Sequence, residues 1–177
     1  MNSNHKVDFA KKKGLTDEWF TPESAIRPIL LQLPYGCIIW CPFDKEESNF
    51  VKVLRENGYT VECSHIDNED EDFFNYEPFE WDVIVSNPPY SIRNDILKRV
   101  FSFGKPFALL MNINGLFDSQ IRWDLFSKND FSLFYLKGRV NYMKEYGKVE
   151  KSSPPFQSAY ITSGLFKEKI VFEETVK

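Results

Sequence analysis

Four short runs rich in apolar residues constrain this chain more than any other feature: residues 37–40, 59–63, 81–85 and 107–111. Each is too short for a buried helix and is bounded by turn or helix signals, so each reads as a strand, the first of them buried. Ser48 opens a helix that turns Phe50, Val53 and Leu54 inward, and Gly58 stops it. Residues 94–103 set Ile96, Leu97, Val100 and Phe101 on one helical face, with Gly104 after them. An earlier helix is expected from Thr21 as N-cap and Pro22 at the first helical position, with Pro28 kinking or interrupting it. The order strand, helix, strand, connection, strand, helix, strand predicts an α/β fold, a mostly parallel sheet wound with helices on both faces. After residue 115 the pattern turns β-rich at 131–136, 139–143, 158–162 and 169–172, which predicts antiparallel edge strands. The stretch 67–72 reads as a loop or a short solvated helix.

At 177 residues and 42% hydrophobic content the chain suits one compact domain with its own core. Residues 1–14 read as a flexible polar arm, and residues 15–177 as the domain, with no interdomain linker. Three cysteines without a C-x-x-C pair argue against a disulfide framework or a zinc site, so no metal is expected. No signal peptide or long apolar run is evident, and the expectation is a cytoplasmic protein away from membranes. The net charge of −4 looks wrong for a nucleic-acid binder. Residues 62–82, however, hold nine acids and no Lys or Arg, so setting them aside leaves the rest of the chain at +5. Five bases lie between Lys137 and Lys151 against Glu145 and Glu150. A basic lobe beside an acidic one fits a phosphate backbone on one side, but on charge alone a solvated surface of mixed charge fits better.

Ligands in such a sheet bind beyond the carboxyl ends of the strands. Residues 41–48, 64–74 and 87–90 converge there. The strongest local signal is the run from Asp82 into Asn87-Pro88-Pro89-Tyr90, a buried strand that meets two prolines. Proline fixes φ and has no N–H, so the turn is stiff and its carbonyls lack local donors. The Asn87 side-chain oxygen and the Pro88 carbonyl could then accept both hydrogens of a planar amino group. Held in that way, the nitrogen lone pair is oriented toward an electrophile. Asn is no proton acceptor at neutral pH, so its work is positioning. Tyr90 offers a ring for stacking. A strand-ending double-proline turn without chemistry is the plainer reading.

Asn87-Pro88-Pro89-Tyr90 after a hydrophobic strand resembles the catalytic motif of amino-methyltransferases that use S-adenosylmethionine. From about residue 16 to residue 165 the chain resembles small, often phage-encoded, adenine-N6 DNA methyltransferases. That resemblance implies a Rossmann-like methyltransferase domain and methylation of adenine N6 in DNA, with the base flipped out or single-stranded. It places Trp19, Phe20, Thr21 and Pro22 at the methionine end of the cofactor; the same residues also read as a helix start with two core aromatics. Cys41, Pro42, Phe43 and Asp44 stand where the family carries a glycine-rich cofactor loop. No glycine occurs between Gly36 and Gly58, a clear departure from the family. In the phage-type subgroup Asp44 would bind the cofactor's ammonium. His65 stands near the ribose position, and Asp72 and Phe73 near the adenine of the cofactor, unless they simply anchor a loop. Lys137 and Arg139 could bind phosphate. Phe156 would face Tyr90 across the target base, or pack in the core. Little chain remains for sequence recognition, so a short site or help from a partner protein is expected. The same turn serves family members that methylate RNA or a protein glutamine, and the missing glycines leave room for a catalytically silent binding module.

Overall fold

The computed structural model describes residues 20–145, 148–149 and 155–173. The expected arm, residues 1–14, lies outside them. The chain runs α1 (Glu23–Leu30), β1 (Ile38–Cys41), α2 (Asn49–Glu56), β2 (Thr60–Cys63) and β3 (Val83–Ser86). A 3-10 turn (Tyr90–Ile92), α3 (Arg93–Ser102), β4 (Phe107–Asn112), α4 (Gln120–Lys128) and β5 (Ser132–Tyr135) follow. Then come β6 (Met143–Glu145), β7 (Lys148–Val149), β8 (Ser158–Ser163) and β9 (Ile170–Phe172).

Seven strands form one sheet in the order β2-β1-β3-β4-β8-β5-β9. All neighbours pair in parallel except at β8, which is antiparallel to both β4 and β5. The fold is the expected Rossmann-like, mostly parallel α/β sheet. Its antiparallel strand, however, sits inside the sheet, and the edges β2 and β9 pair in parallel. A buried interior place suits β8, whose first five residues are all buried.

Side-chain alternation explains the two faces. Ile39 and Cys41, Val83 and Val85, and Ala108 and Leu110 join a core with Ile26, Ile29, Val51 and Leu54 from α1 and α2. Their neighbours Trp40, Ile84, Phe107, Leu109 and Met111 face the other way, against Ile96 and Leu97 of α3 and Phe126 of α4. Both faces of the central strands are therefore buried, which is why these segments read as continuous apolar runs. Trp40 sits fully buried in an aromatic cluster with Phe73 at 5.5 Å and Trp81 at 5.3 Å between ring centres.

Several local expectations shift. Ser48 caps α2 as expected, accepting from the Val51 N–H at 3.3 Å, and Gly58 takes φ +87° beyond its end. Thr21 does not cap α1: Pro22 is the N-cap residue, and its carbonyl accepts from Ala25 at 3.0 Å. Pro28 is accommodated within α1, which ends two residues later at Leu30. Residues 67–72 form a turn-rich loop with Asp70 at φ +65°. The strand expected at 139–143 begins only at Met143 and pairs with β7, outside the main sheet. Val140 and Tyr142 are nonetheless buried, with Asn141 exposed between them. The alternation there reflects packing of an extended chain rather than a ladder.

Helix α4 has no counterpart among the expected elements. Its Arg122 is buried and donates from Nε to the Leu116 carbonyl at 2.7 Å, from Nη2 to the Gly115 carbonyl at 2.8 Å and from Nη1 to Asn94 Oδ1 at 2.6 Å. These bonds pin the loop after β4 to the start of α3. Arg122→Met keeps the aliphatic stem and strands three acceptors, so a loss of about 2 kcal/mol of stability is expected in urea unfolding. Among the described residues no helix is long and apolar enough to cross a membrane.

Candidate active site

The chain passes from β1 through α2 to β2 on one side, then returns to β3 on the other side of β1. Neighbouring connections leave β1 and β3 in opposite directions, which opens a crevice beyond their carboxyl ends. Five segments meet at this edge of the sheet. Residues 42–48 follow β1, and residues 87–92 follow β3. The ends of β4 and β5 lie at the same edge, because both strands oppose β8. Ser158, at the start of β8, pairs with Asn112 there, and the Ile113 N–H donates to the Gln157 carbonyl at 3.1 Å.

Asp44 lies buried between the first two segments. The hydroxyl of Ser86, the last residue of β3, donates to Asp44 Oδ2. Burial pushes the Asp44 carboxyl up to about 6, and the hydroxyls of Ser86 and Ser48 oppose that rise by favouring the ionised form. The carboxylate is thus tied by neutral donors to the residue just before Asn87. Ser48 then links outward: its neighbour Asn49 donates from Nδ2 to the Thr21 carbonyl at 2.9 Å. The Thr21 hydroxyl is buried and has no hydrogen-bond partner among the described residues. Phe20 exchanges backbone hydrogen bonds with Met143 at 3.1 and 2.8 Å, which brings the segment before α1 to the same edge. Trp19 lies outside the described residues.

Asn87 follows directly. Its side-chain oxygen is buried and accepts no hydrogen bond among the described residues, although the residue makes other contacts. Pro88 is buried and Pro89 half-buried, with Pro89 at φ −63° and ψ 128°. Tyr90 begins the 3-10 turn. Its hydroxyl donates to the Tyr142 hydroxyl at 2.9 Å, and Tyr142 donates to Ser158 Oγ at 2.9 Å. Phe156 stands beside Tyr90, with ring centres 5.7 Å apart at 89°. The two expected partners do meet, edge to face. A planar base stacked between parallel rings needs centres about 7 Å apart, twice the contact distance of aromatic carbons. One ring must move before a base fits between them.

Other expected site residues are buried in the core, make local contacts or lie exposed. Cys41 is fully buried, and burial holds its thiol well above the ordinary range. Pro42 is buried beside it. Phe43 packs on Phe73 at 4.7 Å, and Phe73 is buried among Trp40, Phe74 and Phe103. Asp72 uses both carboxylate oxygens locally, accepting from the Phe74 N–H at 3.1 Å and from Asn75 Nδ2 at 3.0 Å. His65 Nδ1 accepts from the Asp67 N–H at 3.1 Å, and Ser64 beside it takes the indole N–H of Trp40 at 3.0 Å. Lys137 and Arg139 are exposed beyond β5, and the Lys137 N–H donates to Glu173 at 2.7 Å. No group of three or more His, Cys, Asp or Glu among the described residues is placed to hold a metal.

Three participants escape motif reading. Ser86 has a faint signal, a small polar residue ending an apolar strand. Tyr142 has none, because it meets Tyr90 across 52 residues of chain, and Ser158, next but one after Phe156, joins the site only through Tyr142. No protein-family model matches the chain, and no curated protein matches it in sequence. A solved structure does: the modification subunit ascribed to a type I restriction enzyme of Vibrio vulnificus superposes with a TM-score of 0.51 at 11% identity. The match covers 90% of this chain and 47% of that one, so this chain spans about half the length of the protein whose fold it shares.

Proposed function

We propose that this chain transfers the methyl group of S-adenosylmethionine to N6 of adenine in DNA. The observation that carries the reading is the position of Asn87-Pro88-Pro89-Tyr90, at the carboxyl end of β3 and one residue from the buried Ser86–Asp44 pair. Catalytic turn and cofactor crevice then share one switch point of the sheet.

The crevice suits the cofactor. Asp44 is a buried carboxylate held by hydroxyls, and the Thr21 hydroxyl is a buried group with no hydrogen bond among the described residues. Both would be satisfied by the ammonium and carboxylate end of an amino acid. S-adenosylmethionine, when bound, supplies a methyl group made electrophilic by the adjoining sulfonium. The chain's own part is positional. The Asn87 side-chain oxygen and the Pro88 carbonyl accept the two amino hydrogens of adenine, and Tyr90 stacks on the base. No strong base is required, because the amino proton can leave once the new N–C bond has made the nitrogen cationic. Lys137 and Arg139, exposed at the same edge, are the candidates for phosphate contacts. A fold shared with a restriction-enzyme modification subunit supports DNA as the acceptor.

The test is methyl transfer from labelled S-adenosylmethionine to unmethylated double-stranded DNA, followed by nucleoside analysis. N6-methyladenine is the expected product. Label in RNA or protein instead would move the acceptor and keep the turn's role. No transfer to any acceptor would refute the reading.

A further inference from the structure

The side chain of Tyr90 in the Asn-Pro-Pro-Tyr turn is tied to the far part of the chain by a hydrogen bond that can be followed inward. Its hydroxyl reaches Tyr142, and Tyr142 reaches Ser158, each at 2.9 Å. Tyr142 is 1% exposed and Ser158 3% exposed, so the inner link of the chain is shielded from water. Ser158 is a β8 residue paired with Asn112 of β4, inside the sheet. The ring of Tyr142 also lies 6.1 Å from that of Phe156. A stacking wall gains from a fixed orientation, since stacking falls away as the ring tilts. Two buried hydroxyls in series supply a rigid anchor that exposed water could not.

Resting on the proposed methyl transfer, we infer that Tyr142, backed by Ser158, is a positioning residue that fixes the Tyr90 ring as one wall of the acceptor site. Tyr142 itself touches no substrate. Its hydroxyl acts only through the Tyr90 hydroxyl, and this distinguishes it from a residue that merely fills the core.

The experiment is a double-mutant cycle on the full chain with Tyr142→Phe and Tyr90→Phe, reading kcat and the KM for DNA and for S-adenosylmethionine. Both substitutions keep the ring and remove one hydroxyl. Each single variant should lose about tenfold in kcat/KM for DNA, and the double variant no more than either, because one link is broken in every case. The KM for S-adenosylmethionine should not change. Losses that multiply to about a hundredfold, or full activity in Tyr142→Phe, would overturn the inference. If Tyr142→Phe fails to fold, Ser158→Ala replaces it in the cycle, with a smaller loss and the same lack of additivity expected. Wild-type protein that methylates no acceptor would instead refute the functional reading itself, and the inference with it. Active wild type with multiplying losses refutes the inference alone.

Discussion

Asn87→Ala should lower methyl transfer by about a thousandfold, the scale for removing one polar group that orients or stabilises reacting atoms. The loss should fall on kcat, with binding of S-adenosylmethionine unchanged. The reason is the division of labour at the switch point. Asp44 and Ser86 are joined to each other, and Asn87 follows them in the chain; in the proposed reading the pair serves the cofactor and Asn87 the acceptor. Alanine keeps β3 and both prolines, so the backbone of the turn is expected to persist. Equilibrium binding of the cofactor and a single-turnover assay separate the two possibilities. A variant that binds cofactor and turns over at the wild-type rate would remove Asn87 from the chemistry.

Asp44→Asn should move stability and binding in opposite directions. Burial raises the folded-state pKa of Asp44 from the ordinary 3.8 to about 6. The folded protein therefore holds a proton that the unfolded chain gives up first. The stability linked to this group is complete below pH 3.8 and is lost as pH rises through 6. A rise of that size corresponds to about 3 kcal/mol at neutral pH, the cost of keeping the buried carboxylate ionised. Asparagine cannot ionise and still accepts from Ser86. The variant should thus be more stable than wild type at pH 7.5 by up to that amount, with the advantage vanishing near pH 4. Its affinity for S-adenosylmethionine should fall about a hundredfold, because the ammonium loses a buried counter-charge. Urea unfolding at the two pH values and calorimetric titration check both halves. A site that costs stability until its ligand arrives is expected of a binding crevice, not of a structural ion pair.

Much of this arrangement was legible before any coordinates. The runs at 37–40, 81–85 and 107–111 became β1, β3 and β4 because central strands covered on both faces need no polar alternation, whereas β2 lies at the sheet edge and alternates, with Val61 buried between exposed Thr60 and Glu62. Ser48 and Gly58 marked the ends of α2 because capping is local chemistry, decided within a few residues. The turn at Asn87 was legible for the same reason: two consecutive prolines after a buried strand allow few conformations. Helix α4 was not legible. Its buried residues are Arg122 and Phe126, while Ile121 and Trp123 are exposed, so its apolar pattern points to no single face. Thr21 was misjudged as a cap because the helix begins one residue later than its Thr-Pro signal suggests.

The sequence by itself determined the strand order along the chain, the switch from alternating strands and helices to a β-rich part and the stiff turn that ends β3. Those features arise from short-range sterics and from burial, which leave their mark in neighbouring residues. The tertiary structure alone decided that β8 enters the sheet interior, that Asp44 is held by Ser86, and that Tyr90 is anchored through Tyr142 to Ser158. The Asp44–Ser86 and Tyr90–Tyr142 contacts join residues 42 and 52 positions apart, Tyr142 and Ser158 are 16 apart in an irregular part of the chain, and the place of β8 follows from pairing with distant strands. Their formation depends on how the whole chain packs, and no local pattern of residues encodes it.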